Sequence, residues 1–332
     1  MDYEIVATLG PKSSSEQMWE ALLCTGATSF RLNTSHLSVE QVGQWLDRMK
    51  TFLKERDSHV RVVLDLQGSK WRLGDFEQLT LEPGQEIELV HCPSTGDPGM
   101  LPVPHEDFFR AVRRSDGSIV LNDAKIALAV REAGDGSVKA RVTRGGVISS
   151  RKGITCPSSG YRAESLGEKD VKILELARGF DFIRYAVSYV RDRMEMSRYR
   201  KTIGDRTYLI AKLERETAVE DAAGISRFSD ELWLCRGDLG AEMGLKAMAG
   251  AVYRFSNRLA ELPVPVLLAG QVLEHMTVSP VPTRAEVCSL HDALERGYRG
   301  VVLSDETAVG EYLIESCSAA AMFKTGSEQQ EN

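Results

Sequence analysis

The stretch IAKLE sets Lys212 and Glu214 two residues apart in a β-rich run, so both side chains project to one side of a strand. Further on, CRGDLG offers Asp238 behind a glycine. Two carboxylates plus phosphate oxygens from a bound substrate are a typical Mg²⁺ environment, because Mg²⁺ takes hard oxygen ligands and keeps several waters. A lysine beside such an ion can neutralise charge on a moving phosphoryl group. The same residue types also suit a plain rim salt bridge among Lys212, Glu214 and Arg236. FRLNTSH gathers Arg31, Asn33, Ser35 and His36 in one turn. The planar fork of Arg31 suits phosphate. Ser35 could equally cap the next helix, and His36 alone reads as an exposed turn histidine. Arg72, in SKWRLG, reads in isolation as a solvated charge.

These residues need elements to hold them. Eight β-rich runs alternate with amphipathic helices: EIVATL, ATSFRL, RVVLDL, FDFIRYAV, TYLIAKL, DELWLC, PVPVLLA and GYRGVVLS. Helices are predicted to begin near Ser15, Ser38, Leu166 (behind a Ser165 cap), Asp192, Thr217, Leu245, Thr283 and Tyr312. Eight such alternations predict an α/β fold, a (β/α)8 TIM barrel, whose chemistry belongs where strands end. The interval after the third strand breaks the rhythm with Gly/Pro-rich hairpin patterns such as QLTLEPGQEIELV, which predict a small inserted β-rich domain. The expected division is a barrel of residues 1–66 and 152–332 with an inserted lid over 67–151.

Composition narrows the class. The chain has 332 residues, 42% hydrophobic and 27% charged, with a net charge of −7. That balance argues against a general nucleic-acid binder, and no run approaches the roughly 20 apolar residues of a bilayer span. Six scattered cysteines without a C-x-x-C pair disfavour a zinc site. With no signal peptide, a cytoplasmic location is expected. The tail TGSEQQEN reads as frayed.

With these motifs in order (ATLGPKSSS, FRLNTSH, RKGI, IAKLERE, CRGDLGAE, SPVPTRAE, LSDETAVGEY), the chain resembles the pyruvate kinase family over nearly its whole length. The resemblance implies a barrel with a mobile β-domain, moving a phosphoryl group between phosphoenolpyruvate and ADP with Mg²⁺ (Mn²⁺ as substitute) and often K⁺. It implies Mg²⁺ ligation by Glu214 and Asp238, and stabilisation of the transferring group by Lys212 and Arg31. Asn33, Ser35, Asp65 and Leu66 fall in the monovalent-cation shell. Arg31, His36, Arg72 and Lys152 fall on nucleotide-binding positions. Ser188, Arg236, Gly237, Asp238 and Glu274 fall around the substrate, with Gly237 at a helix start suited to a carboxylate.

The departures are as informative. Leu66 and Lys70 stand where K⁺-dependent members carry Thr and Glu, so a fixed ammonium replacing K⁺ is expected. The chain stops after the eighth helix, so the C-terminal regulatory domain is expected to be absent; barrel helices could still support a homodimer. LNDAK, with Asp123, has Ala124 where the family has a turn glycine, which predicts altered lid closure. Asp305 replaces a glycine and would repel phosphates unless turned outward or paired. Gly270, ending strand seven, replaces a threonine of the proton-delivery network, so restoring threonine should raise a weakened kinase activity. Two readings follow: a K⁺-independent pyruvate kinase-like phosphotransferase, or a Mg²⁺–enolate barrel acting on another 2-oxo acid or enol as lyase, decarboxylase or kinase. Intact metal and lysine positions weigh against a non-catalytic binder.

Overall fold

The computed structural model describes residues 1–56, 59–122, 124–157 and 166–325. Asp123, Ser165 and the tail beyond Thr325 lie outside them. By contacts the chain forms two compact units, Met1–Gln67, Leu166–Arg236 and Ala251–Asn332 in one, Gly68–Ser165 and Gly237–Gly250 in the other.

In the first unit all eight expected runs are strands: β1 (Glu4–Leu9), β2 (Ser29–Asn33), β3 (Arg61–Leu66), β4 (Ile183–Val187), β5 (Leu209–Leu213), β6 (Glu231–Cys235), β7 (Val266–Ala269) and β8 (Gly300–Leu303). Each pairs in parallel with its neighbours in chain order, and β8 closes on β1. The predicted barrel is the observed fold. Four of the expected helix starts were written in capping residues. Ser15, Ser38, Asp192 and Thr283 each accept a backbone N–H, and Ser38 and Thr283 form full capping boxes with Gln41 and Glu286. Each such cap stabilises its helix by about 1 kcal/mol.

Side-chain alternation sorts each strand into two faces. One parity buries apolar residues such as Phe30, Leu32, Leu64, Leu213 and Leu234. The other parity builds three layers. In the middle, Val6, Val63, Ala186, Ile210, Trp233, Leu267 and Val302 form one apolar cluster. Toward the strand starts lies a charged group. Arg184 Nη1 bonds Glu4 Oε1 at 2.9 Å, and its guanidinium stacks 4.2 Å from the Tyr208 ring. Glu231 accepts from Tyr208 Oη at 2.9 Å and Trp233 Nε1 at 2.5 Å. Toward the strand ends the same parity places Thr8, Arg31, Asp65, Ser188 and Lys212.

The second unit holds a six-stranded sheet, in the order Ile154–Thr155, Ser118–Leu121, Ile126–Ala133, Ser137–Arg144, Glu86–Val90, Met100–Pro102. Gly146–Ile148 pairs with Leu79–Leu81 beside it. The hairpin pattern foretold these strands but not the helix Glu106–Val112, whose Phe108 packs edge-on with both Trp71 and Phe109 in the core. The unit also extends past residue 151, because Ile154–Thr155 pairs with Ser118–Leu121 and Gly153 bridges to Arg72. Ala124 sits at φ +61°. The turn thus keeps a left-handed residue without glycine, at a cost of roughly 1 kcal/mol.

Glu231 gives the barrel a pH-dependent stability. Burial, reinforced by Glu4, pushes its carboxyl up to about 7. A carboxyl raised on folding favours the protonated state, so its contribution worsens as pH rises from the ordinary range near 4.5 through about 7. The full effect is on the order of 3 kcal/mol. Glu231→Gln should therefore gain stability relative to the unmodified chain between pH 5 and pH 8, followed by thermal melting. Parallel profiles for the two proteins would contradict this.

Candidate active site

At the ends of the barrel strands, Asp65 is the meeting point. Its Oδ2 accepts from Arg31 Nε at 2.8 Å, Arg31 Nη2 at 2.5 Å and Lys212 Nζ at 3.1 Å. Its Oδ1 accepts from Ser188 Oγ at 3.1 Å. Arg31 Nη1 continues to Thr8 Oγ1 at 2.8 Å. Lys212 Nζ also donates to Ser188 Oγ at 3.0 Å and lies 3.0 Å from Glu214 Oε1. Glu214 Oε2 accepts the backbone N–H of Tyr189 at 2.6 Å. Arg31, Asp65, Lys212 and Glu214 are all buried.

These charges hold one another in place. Burial alone would raise the Asp65 pKa, but Lys212 and Arg31 overcome it and lower it to about 2. Burial would likewise discharge Lys212, yet Asp65 and Glu214 raise its pKa. Arg31 shows the same balance with Asp65. Lys212 is therefore a fixed ammonium at neutral pH, suited to stabilising negative charge rather than carrying protons.

The turn Thr34–His36 follows β2. Asn33 Oδ1 accepts from Ser35 N at 3.2 Å, whereas His36 is exposed. Leu66, buried, lends its carbonyl to Ser188 N at 3.3 Å. Lys169, which sequence reasoning passed over, donates to the Thr34 carbonyl at 2.6 Å and the Ser35 carbonyl at 3.4 Å. Its only sequence signal was a basic residue in the first turn of a helix.

The end of β7 is fixed by its backbone. Gly270 has φ +84° and Gln271 φ +55°. Arg236 grips both carbonyls, through Nε to Gly270 O at 3.0 Å and Nη2 to Gln271 O at 2.8 Å. Arg236 thus sets this turn, and does not join the rim salt bridge with Lys212 and Glu214. Glu274 opens the short 3₁₀ turn that follows. Glu306, also unforeseen, is buried and ties two loops, accepting Leu273 N at 3.1 Å and Ser304 N at 2.7 Å. Burial pushes its pKa up. Its neighbour Asp305 is exposed.

In the second unit, Lys70 Nζ lies 2.5 Å from Asp238 Oδ1. Gly237 and Asp238 occupy the first turn of helix Arg236–Met243, where backbone N–H groups have no intrahelical acceptor. Arg72 Nη1 donates to the Arg151 carbonyl at 2.9 Å, and its Nε has no hydrogen-bond partner among the described residues. Lys152 adjoins Gly153, the bridge partner of Arg72, and its carbonyl accepts from Leu73 N at 3.0 Å.

Glu214 and Asp238 provide the hard carboxylate oxygens that Mg²⁺ prefers, and an ammonium already stands against each. Among the described residues no group of three or more His, Cys, Asp or Glu is placed to hold a metal.

A parallel (β/α)8 barrel with a fixed lysine, an arginine and carboxylates at its strand ends, and a β-rich insertion after β3, defines a class of anion-handling barrel proteins. The family model described as pyruvate kinase, barrel domain, matches residues 2–317. A pyruvate kinase of Methylorubrum extorquens is 38% identical over 317 residues, covering 94% of this chain and 66% of the relative. One from Agrobacterium vitis is 35% identical over 320 residues, covering 94% and 65%. One from Thermotoga maritima is 31% identical over 318 residues, covering 94% and 68%. The chain belongs to the pyruvate kinase family. It spans just under two thirds of the length of the first two of these relatives. No described helix is long and apolar enough to cross a membrane.

Two substitutions test the geometry. Asp65→Asn leaves Arg31 and Lys212 without their shared counter-charge, and should destabilise the protein by about 3–5 kcal/mol. Urea denaturation reads this directly, and a change under about 1 kcal/mol would contradict the hub assignment. Gly270→Thr places a β-branched residue at φ +84° and should cost roughly 1–3 kcal/mol. This replaces the expectation that threonine simply restores a hydroxyl. Unchanged melting with raised activity would show that the turn relaxes instead.

Proposed function

We propose that the chain is a Mg²⁺-dependent phosphotransferase of the pyruvate kinase type, moving a phosphoryl group between phosphoenolpyruvate and ADP without a K⁺ requirement. The observation that carries this reading is Lys212, held as a permanent ammonium by Asp65 and Glu214. Phosphoryl transfer asks for positioning and charge stabilisation more than for covalent chemistry. Lys212 supplies positive charge for the transferring group, and Arg31 offers a second cation whose orientation Asp65 and Thr8 determine. Ser188 fixes the Lys212 ammonium from a second side. In this reading Glu214 and Asp238 hold the Mg²⁺, which when bound neutralises phosphate charge. Gly237 takes the substrate carboxylate through its backbone, with Glu274 behind the substrate. Arg72, Lys152 and His36 take nucleotide phosphates, and the β-rich insertion after β3 acts as the lid. Lys70 supplies the fixed positive charge that K⁺ brings elsewhere, while Asn33, Ser35, Asp65 and Leu66 retain the remnant of that cation's shell.

One observation favours a second reading. The β7 end is a glycine whose conformation Arg236 enforces, so it presents no hydroxyl for protonating an enolate. A Mg²⁺–enolate site acting on another 2-oxo acid or enol, as lyase, decarboxylase or kinase, would not need one.

The test is direct. The purified chain with Mg²⁺, ADP and phosphoenolpyruvate should form ATP and pyruvate in K⁺-free buffer, and Lys212→Met should lower the rate by at least roughly 10²–10³. A strict K⁺ requirement would refute the role of Lys70, and near-normal turnover of Lys212→Met the role of Lys212. No turnover of phosphoenolpyruvate, together with Mg²⁺-dependent binding of oxalate, would move the assignment to the second reading.

A further inference from the structure

Asp238 is not a bare carboxylate. The ammonium of Lys70 lies 2.5 Å from its Oδ1, and the two side chains retain only 7% and 12% of their exposure. The path of the lysine stem is built into the fold. A Cβ added to Gly153 would come 2.9 Å from Lys70 Cε and 3.3 Å from Nζ, so the stem runs across bare glycine backbone. That backbone is held in turn, since the Gly153 carbonyl accepts from Asn122 N at 3.0 Å and the residue bridges to Arg72. The contact is therefore specified from both sides, by a carboxylate at the tip and by a missing side chain under the stem.

A divalent cation and an ammonium compete for that carboxylate. Lys70 covers one lone pair of Oδ1, and an ion on any other lone pair of the same carboxylate would stand close to the ammonium, where two positive charges repel strongly in a partly buried site. We infer that Lys70 is a built-in competitor for the divalent cation at Asp238, occupying the carboxylate until the metal displaces it. This deepens the proposed function and rests on it, because it takes Asp238 as a metal ligand. Three consequences follow from the chemistry. The metal-free protein avoids an unpaired buried carboxylate. Divalent affinity is weaker than the carboxylates alone would give. Metal binding releases an ammonium that stays tethered nearby as the fixed positive charge.

The experiment is Mn²⁺ binding to the whole chain without substrates, read from the electron paramagnetic resonance signal of free Mn²⁺. Lys70→Met should bind Mn²⁺ roughly tenfold more tightly, or better, than the unmodified chain. Gly153→Ala keeps every charge but pushes the flexible Lys70 end aside, and should tighten binding in the same direction. It serves as the second variant should Lys70→Met fold poorly. Asp238→Asn should lose binding. Unchanged or weaker affinity in both Lys70→Met and Gly153→Ala would overturn the competition while leaving the metal site standing. Absent binding in the unmodified chain, or binding untouched by Asp238→Asn, would instead overturn Asp238 as a ligand and the inference with it.

Discussion

Everything at the strand ends of the barrel depends on one buried carboxylate. Asp65 accepts from Arg31, Lys212 and Ser188, side chains brought from three other strands or strand ends. Without it two buried cations would face each other across a site of low dielectric. With it, and with Glu214, the group of Arg31, Lys212, Asp65 and Glu214 has two charges of each sign. Such a group is costly to desolvate and gives little net stability. Its return is orientation: every donor has a partner that defines its direction before any substrate arrives.

The barrel can carry this because its interior is layered. A middle layer that includes Val6, Val63, Ile210, Trp233 and Val302 supplies apolar burial. It separates two polar layers that obey different rules. Toward the strand starts, Glu231 is pushed up toward neutrality by burial and Glu4. Toward the strand ends, Asp65 is driven the other way by two cations. Both carboxylates are buried on β-strands, and their neighbours decide their state. The contrast assigns the first cluster to stability and the second to chemistry, in keeping with the division between the two faces of such barrels.

Much of this was legible in the sequence. Short apolar runs marked all eight strands, and cap residues marked helix starts, because both signals are local. Lys212, Glu214 and Arg31 stood out as charges inside those runs. Asp65 was read only as part of a cation shell, because RVVLDL shows a polar intruder but not the three partners that converge on it. Glu306 and Lys169 were missed for the same reason: their hydrogen bonds go to backbone groups far along the chain. Arg236 was given to the substrate or to a rim pair. A guanidinium holding two carbonyls of another loop leaves no mark in composition or spacing.

Gly270 shows how the backbone can change the meaning of a substitution. Read as a letter, it is a threonine without its side chain. In the fold it belongs to a left-handed pair with Gln271, locked by Arg236. A β-branched residue there would be strained, so restoring the hydroxyl carries a cost set by the turn as well as by the side chain. Lys212 is a poor substitute as proton donor, because Asp65 and Glu214 raise its pKa. The charged machinery for handling phosphate is therefore set apart from proton delivery. Under the proposed function, solvent or a group outside the Asp65 cluster is then the better proton source for an enolate. Under the proposed function, that separation leaves phosphate handling to the Asp65 cluster and frees the β7 end to suit a different substrate.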